Sequence, residues 1–254
     1  MSNWSETVSP SFTARHAEAD ADGARATLEL LEGMRERLLA LLPAVPQDLE
    51  VVVHATPGQL ALAQPLVPLL RRITAAPARR YVAGWYTRRE LHVLTPSALE
   101  SRADTLAGSR EMLAGSPAAL YAQLACGSAN PGLGPPFGVR TTAATLRSLW
   151  LSCGAGAWLG GQTAHARPAI ARRLRGGGEP RFPPAAADAV LLGGTVFDLL
   201  AREEGEDAAV RLALAPPGDG RRMLEHAFRG RSLLHTSGAW HAHLARVAEA
   251  AARP

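Results

Sequence analysis

The sequence predicts an α+β fold, with a small, mostly antiparallel sheet and its helices followed by a helical lobe. Three observations carry that reading. Residues 49–54 (LEVVVH) are a β-branched run that follows a proline. Two more β-prone runs, 80–87 (ARRYVAGWYT without its first two residues) and 90–95 (ELHVLT), are separated only by Arg88 and Arg89. From Arg140 onward, apolar residues recur almost throughout at helical spacing. The expected organisation is therefore one domain over residues 1–254, with an α/β lobe over 1–138 and a helical lobe over 139–254.

The elements follow in order. Residues 18–42 place Leu28, Leu31, Leu38 and Leu42 along one stripe, which predicts an amphipathic helix stopped by Pro43 and Pro46. Residues 49–54 predict a strand. Residues 58–73 are apolar at helical spacing, and Pro65 and Pro68 should kink or divide them. The runs 80–87 and 90–95 predict a hairpin or two adjacent antiparallel strands. A short helix is expected over 97–103 with Ser97 as its cap. Ser116 and Pro117 should open the next helix, with the serine capping and the proline at the first helical position. Residues 127–138 (GSANPGLGPPFG) predict a loop. One helix is expected over 141–159, ended by Gly160 and Gly161, then helices over 168–174, 190–201, 206–214, 221–228 and 237–251. Thr236 or Ser237 should cap the last of these, and Trp240 should anchor it.

Of the 254 residues, 47% are hydrophobic and 20% charged, the composition of a folded chain. No run reaches the roughly 18 apolar residues that span a bilayer, and residues 1–16 lack the basic start and apolar stretch of a secretory signal. A cytoplasmic chain without a membrane partner is expected. All 27 basic residues are arginine, and pairs such as Arg71–Arg72, Arg79–Arg80, Arg88–Arg89 and Arg221–Arg222 are spread along the chain among acidic segments. That pattern predicts solvated surface arginines rather than a nucleic-acid-binding face. Cys126 and Cys153 are too far apart for a C-x-x-C motif and read as small core residues. His241 and His243 fall on nearly opposite faces of a helix and cannot chelate one ion as an i, i+4 pair would. His54 and His92 sit at a strand end and in the expected hairpin, so their proximity is left open.

One stretch carries a resemblance. Residues 150–162 (WLSCGAGAWLGGQ) resemble the W-L-x-E-G-x-A-x-Y-x-x-G-Q stretch of gluzincin, peptidase MA-like metallopeptidases of the zincin-like superfamily. In those families the glutamate is the third zinc ligand, on the helix after the one that bears H-E-x-x-H. Here Cys153 stands in its place, and the helix expected over 116–128 has neither histidine nor acid. With the lost motif placed at residues 121–125, Tyr121 and Ala125 replace the ligand histidines, and Gln123 or Ala122 replaces the general-base glutamate. A catalytic zinc needs about three protein ligands and a carboxylate to take a proton from its water. The resemblance thus implies a zincin-like scaffold with no catalytic residue, no metal ligand set and no cofactor. It also implies an inter-lobe cleft lined by Tyr121, Gln123, Ala125, Trp150, Cys153 and Ala157 that binds a peptide or protein partner, with Tyr121 or Gln123 facing Cys153. The small residues Gly154 to Ala157 equally fit close helix packing. Two other classes stay open: a hydrolase using Cys153 or Cys126 with a distant histidine, and an arginine-mediated binder of anionic ligands or nucleic acid.

Overall fold

The computed structural model of the chain describes residues 4–130, 142–216 and 218–251. It opens with a hairpin that the sequence reading missed, β1 (Trp4–Val8) antiparallel to β2 (Phe12–Ala17). In β2 the side chains of Phe12, Ala14 and His16 point into the protein while Thr13, Arg15 and Ala17 are more exposed, the period-2 alternation of a strand with one covered face. A 3-10 turn at Glu18–Asp20 leads into α1 (Ala21–Leu39), whose Leu28, Leu31 and Leu38 are buried as the periodicity predicts. Glu32 of α1 fastens the hairpin turn by accepting from Ser9 Oγ at 2.6 Å and the Ser11 N–H at 2.7 Å.

β3 (Leu49–His54) occupies the expected residues. The proline-bearing segment is divided into α2 (Pro57–Ala63) and α3 (Leu66–Ile73). Pro65 precedes α3, and Pro68 lies in its first turn, where a missing N–H leaves no bond unmade. β4 (Gly84–Tyr86) and β5 (Glu90–Leu94) form the anticipated hairpin, shortened because Ala76–Tyr81 is a 3-10 turn.

The five strands are ordered β1-β2-β3-β5-β4. The sheet is mixed rather than mostly antiparallel: β1–β2 and β4–β5 are antiparallel, whereas β2–β3 and β3–β5 are parallel. The reason lies in the connections. A parallel neighbour needs a crossover of a dozen or more residues. α1 supplies one between β2 and β3, and the segment through α2, α3 and β4 supplies the other.

α4 (Pro96–Glu100) is capped by Thr95, which accepts from the Ala98 N–H, and not by Ser97. With proline as the first helical residue, the cap must stand directly before it. α5 (Ser109–Ala114), also unanticipated, runs through Gly115 into α6 (Ser116–Ala129). Ser116 is no cap, because the chain before it is already helical; its hydroxyl donates back to the Met112 carbonyl. The loop expected over 127–138 therefore starts later, after Ala129, and its residues from 131 onward lie outside the described ones.

The second half is helical as expected. It comprises α7 (Thr142–Leu159), the unforeseen short α8 (Gln162–His165), α9 (Arg167–Arg175), α10 (Ala189–Glu204), α11 (Glu206–Ala213), α12 (Gly220–Ala227) and α13 (Leu233–Ala250). α13 starts earlier than predicted and is capped by Ser232, which accepts from the His235 N–H, rather than by Thr236 or Ser237. Trp240 is its buried anchor, donating from Nε1 to Thr195 Oγ1 at 2.8 Å.

Phe12, Ala14, Val51, Val53, Leu91 and Val93 form the covered face of the sheet, packed against α1 and α6. They belong to one continuous buried cluster that extends through Phe197 of α10 to Trp240 and Leu244 of α13. No helix among the described residues is long and apolar enough to cross a membrane.

Candidate functional site

α6 and α7, the two helices that carry the motif stretches, pack directly on one another. Glycines bring them close: a Cβ built at Gly156 would stand 2.5 Å from the Ala119 carbonyl, and one at Gly160 would stand 2.8 Å from the Ala119 Cα. Residues two apart on a helix lie roughly 200° apart around its axis, so α6 divides the predicted residues between two faces. Tyr121 looks toward the sheet: its ring meets Phe12 edge-on at 5.1 Å and its hydroxyl donates to the Pro46 carbonyl at 2.6 Å. Ala125, one turn on, is fully buried. Gln123 looks the other way, toward α7.

Between β4, α6 and α7 lies a cavity of about 70 Å³. Gly84, Trp85 and Tyr86 line it from β4, Ala119, Leu120 and Gln123 from α6, and Leu149, Ser152 and Cys153 from α7, with Gln162 at one end. Gly84 is required here, because a Cβ would meet the His92 carbonyl at 2.6 Å. Of the six residues expected to line a cleft, only Gln123 and Cys153 reach this cavity. Tyr121, Ala125, Trp150 and Ala157 do not: the Trp150 carbonyl and the Ala157 methyl group pack against Gly193 and Gly194 of α10. The i, i+4 pair of α6 that faces Cys153 is Ala119 and Gln123, with Leu120 beside them.

The chemistry of the cavity follows from its lining. Burial pushes the Cys153 thiol up to about 12, and a hydrogen bond with Ser152 only partly offsets this. Cys126, also buried, is likewise raised to about 12. Burial raises the phenol of Tyr86 further still. At neutral pH these groups stay protonated, whereas a cysteine nucleophile or metal ligand must be a thiolate. Among the described residues, no histidine and no carboxylate lines the cavity. The thiol of Cys153, the amides of Gln123 and Gln162 and the hydroxyls do not fit a catalytic zinc. Among the described residues no group of three or more His, Cys, Asp or Glu is placed to hold a metal ion.

Two imidazole sites emerge elsewhere. His54 and His92 share one face of the sheet through the β3–β5 register, stacked with centroids 5.5 Å apart and His54 Nε2 3.2 Å from His92 Nδ1. His92 Nε2 lies 2.9 Å from the Gln64 amide nitrogen and 3.4 Å from Glu90 Oε2. Burial, then the neighbouring His92, lowers the pKa of His54 to about 4. Burial also lowers that of His92, against the pull of Glu90. In the helical half, His243 is fully buried with Nε2 2.9 Å from Asp198 Oδ2, without good hydrogen-bond alignment. His241, on another face of α13 as its spacing predicts, reaches the Pro180 carbonyl at 2.8 Å.

Searches of protein-family models, of characterised proteins and of solved structures find no match to this chain.

Proposed function

We propose that this chain is a zincin-like protein without metal hydrolysis, which binds a peptide by taking one apolar side chain into the cavity between β4, α6 and α7. The observation that carries the reading is the meeting of Gln123 and Cys153 in that cavity. In the resemblance, those two helices contribute the general base and the ligands of a zinc. Here the facing positions hold Ala119, Leu120, Gln123 and Cys153, and the lining is largely apolar. A volume of about 70 Å³ suits one aliphatic side chain, well below the several hundred Å³ of a drug-sized site. β4, an edge strand whose three residues are buried, forms one wall of the cavity.

Two measurements test the reading. Protein purified without chelators is expected to carry far less than one zinc per chain; stoichiometric zinc that is lost in Cys153→Ala would overturn the loss of metal. The peptide Gly-Gly-Leu-Gly-Gly is expected to shift the methyl resonances of Leu120 and Leu149, with no shift from pentaglycine. Filling the cavity with Ser152→Leu should abolish the shift. Unchanged methyl resonances at millimolar peptide would sink the peptide assignment.

A further inference from the structure

A second pocket, of about 320 Å³, lies on the helical half, between α8, α9, α10 and α13. We infer that it binds a phosphate-bearing small molecule, held by Arg167, Arg202 and Arg246. The three guanidinium groups come from three helices: Arg167 begins α9, Arg202 lies on α10 and Arg246 on α13. Helical spacing puts them there together with their neighbours. Thr195, Asp198 and Arg202 share one face of α10, and His243, Arg246, Val247 and Ala250 share one face of α13.

Pairing distinguishes these arginines from ten others among the described residues. Arg15, Arg172, Arg173, Arg229 and Arg231 each contact a carboxylate. Among the described residues, Arg167, Arg202 and Arg246 make no such ion pair; Arg202 approaches only His243 Nδ1, at 3.5 Å. Among the described residues, Asp198 is the one carboxylate lining the pocket, and it is already engaged by His243. His243, then Arg202 and Arg167, hold its carboxyl below the usual range despite burial, so it is ionised. Three positive charges against one negative leave an excess of about two. A phosphomonoester carries about −1.5 to −2 at neutral pH and presents the planar acceptor edges that a guanidinium fork matches. Trp158, Ile170 and Val247 give the pocket an apolar side, and its volume exceeds what a lone oxyanion fills, so the group that bears the phosphate also enters.

The test is calorimetric titration of the full chain with inorganic phosphate, adenosine 5′-monophosphate and adenosine at low salt. Phosphate and the nucleotide should both bind, more weakly as salt rises, and adenosine should not. A nucleotide that binds more tightly than phosphate places the organic group in the pocket. Equal affinities identify the free ion as the ligand. Arg202→Gln and Arg246→Gln alter solvent-exposed side chains, so their circular dichroism should match the parent, and each should weaken binding at least ten-fold. Arg246→Lys should recover part of the loss. No heat with either phosphate compound at millimolar concentration, equal binding of adenosine, or unchanged affinity in the Arg202→Gln/Arg246→Gln double variant would overturn the assignment. The site shares no lining residue with the β4–α6–α7 cavity, so either proposal can fail alone.

Discussion

His54 is the side chain whose environment has the clearest consequence in solution. Its pKa falls from 6.5 to about 4 in the folded chain, through burial and then through His92, so the unfolded chain binds its proton more readily. The stability contributed by keeping it neutral is full above about pH 6.5 and is lost as the pH falls toward 4. With those two values, the loss by pH 5 is about 2 kcal/mol. The groups facing it are His92 and, through His92, Gln64 and Glu90. Urea midpoints measured at pH 7.5 and pH 5 should drop for the parent and much less for His54→Gln; parallel slopes for the two proteins would refute this account. The pairing itself was only half legible. The sequence places both histidines in strands, but whether they share a face depends on the β3–β5 register, where Val52 is opposite His92 and His54 opposite Leu94. The same limit applies to Gln123 and Cys153: their residue types announced missing chemistry, while the face of α6 that meets α7 was set by Gly156 and Gly160 closing on Ala119.

Those glycines make α7 the central element of the helical half, clasped by α6 on one side and α10 on the other. A Cβ at Gly154 would stand 2.6 Å from the Gly193 carbonyl of α10, and one at Gly193 would stand 2.7 Å from the Trp150 carbonyl. Both neighbours are backbone and cannot swing aside. Gly154→Ala and Gly193→Ala should each cost about 1–3 kcal/mol, and the double variant should depart from the sum of the singles, because the residues touch. Gly33 of α1 is the control, since nothing lies within 4 Å of its missing Cβ. Gly33→Ala should instead add about 0.5–1 kcal/mol by removing a glycine from a helix interior. Opposite signs in chemical denaturation would establish the close approach; a stabilised Gly154→Ala would dismiss it. That small residues here mean tight helix contact was readable from the run Gly154 to Ala157. The hairpin of β1 and β2 was not, because its outer positions are polar or exposed and its inner ones include alanine and histidine, a weak apolar signal. Helix starts slipped for a related reason: Thr95 and Ser97 both suit a cap, and only Pro96 between them decides which one caps.

Across the molecule, the two predicted halves are tied through α6, which offers Tyr121 to the sheet and Gln123 to α7. Parallel pairing adds to the coupling, since β2, β3 and β5 are joined only after the chain has crossed the covered face or the far end of the sheet. No sequence pattern distinguishes that mixed order from a run of hairpins, because each strand looks alike locally and the direction of its partner is a property of the connections. The buried cluster runs without a break from Phe12 in β2 to Leu244 in α13, and a core shared in this way should be lost all at once. Native-state hydrogen exchange in rising urea distinguishes the alternatives. The amides of Val51 and Val53 in β3 and of Leu192 and Val196 in α10, all buried residues, should merge onto one opening reaction with the same free energy and the same urea dependence. If the α10 amides open at lower free energy and with a smaller urea slope than those of β3, residues 1–138 and 139–254 are separate folding units. The short elements at the edges, α8 and α12, should open earlier in either case, because they contribute few buried side chains.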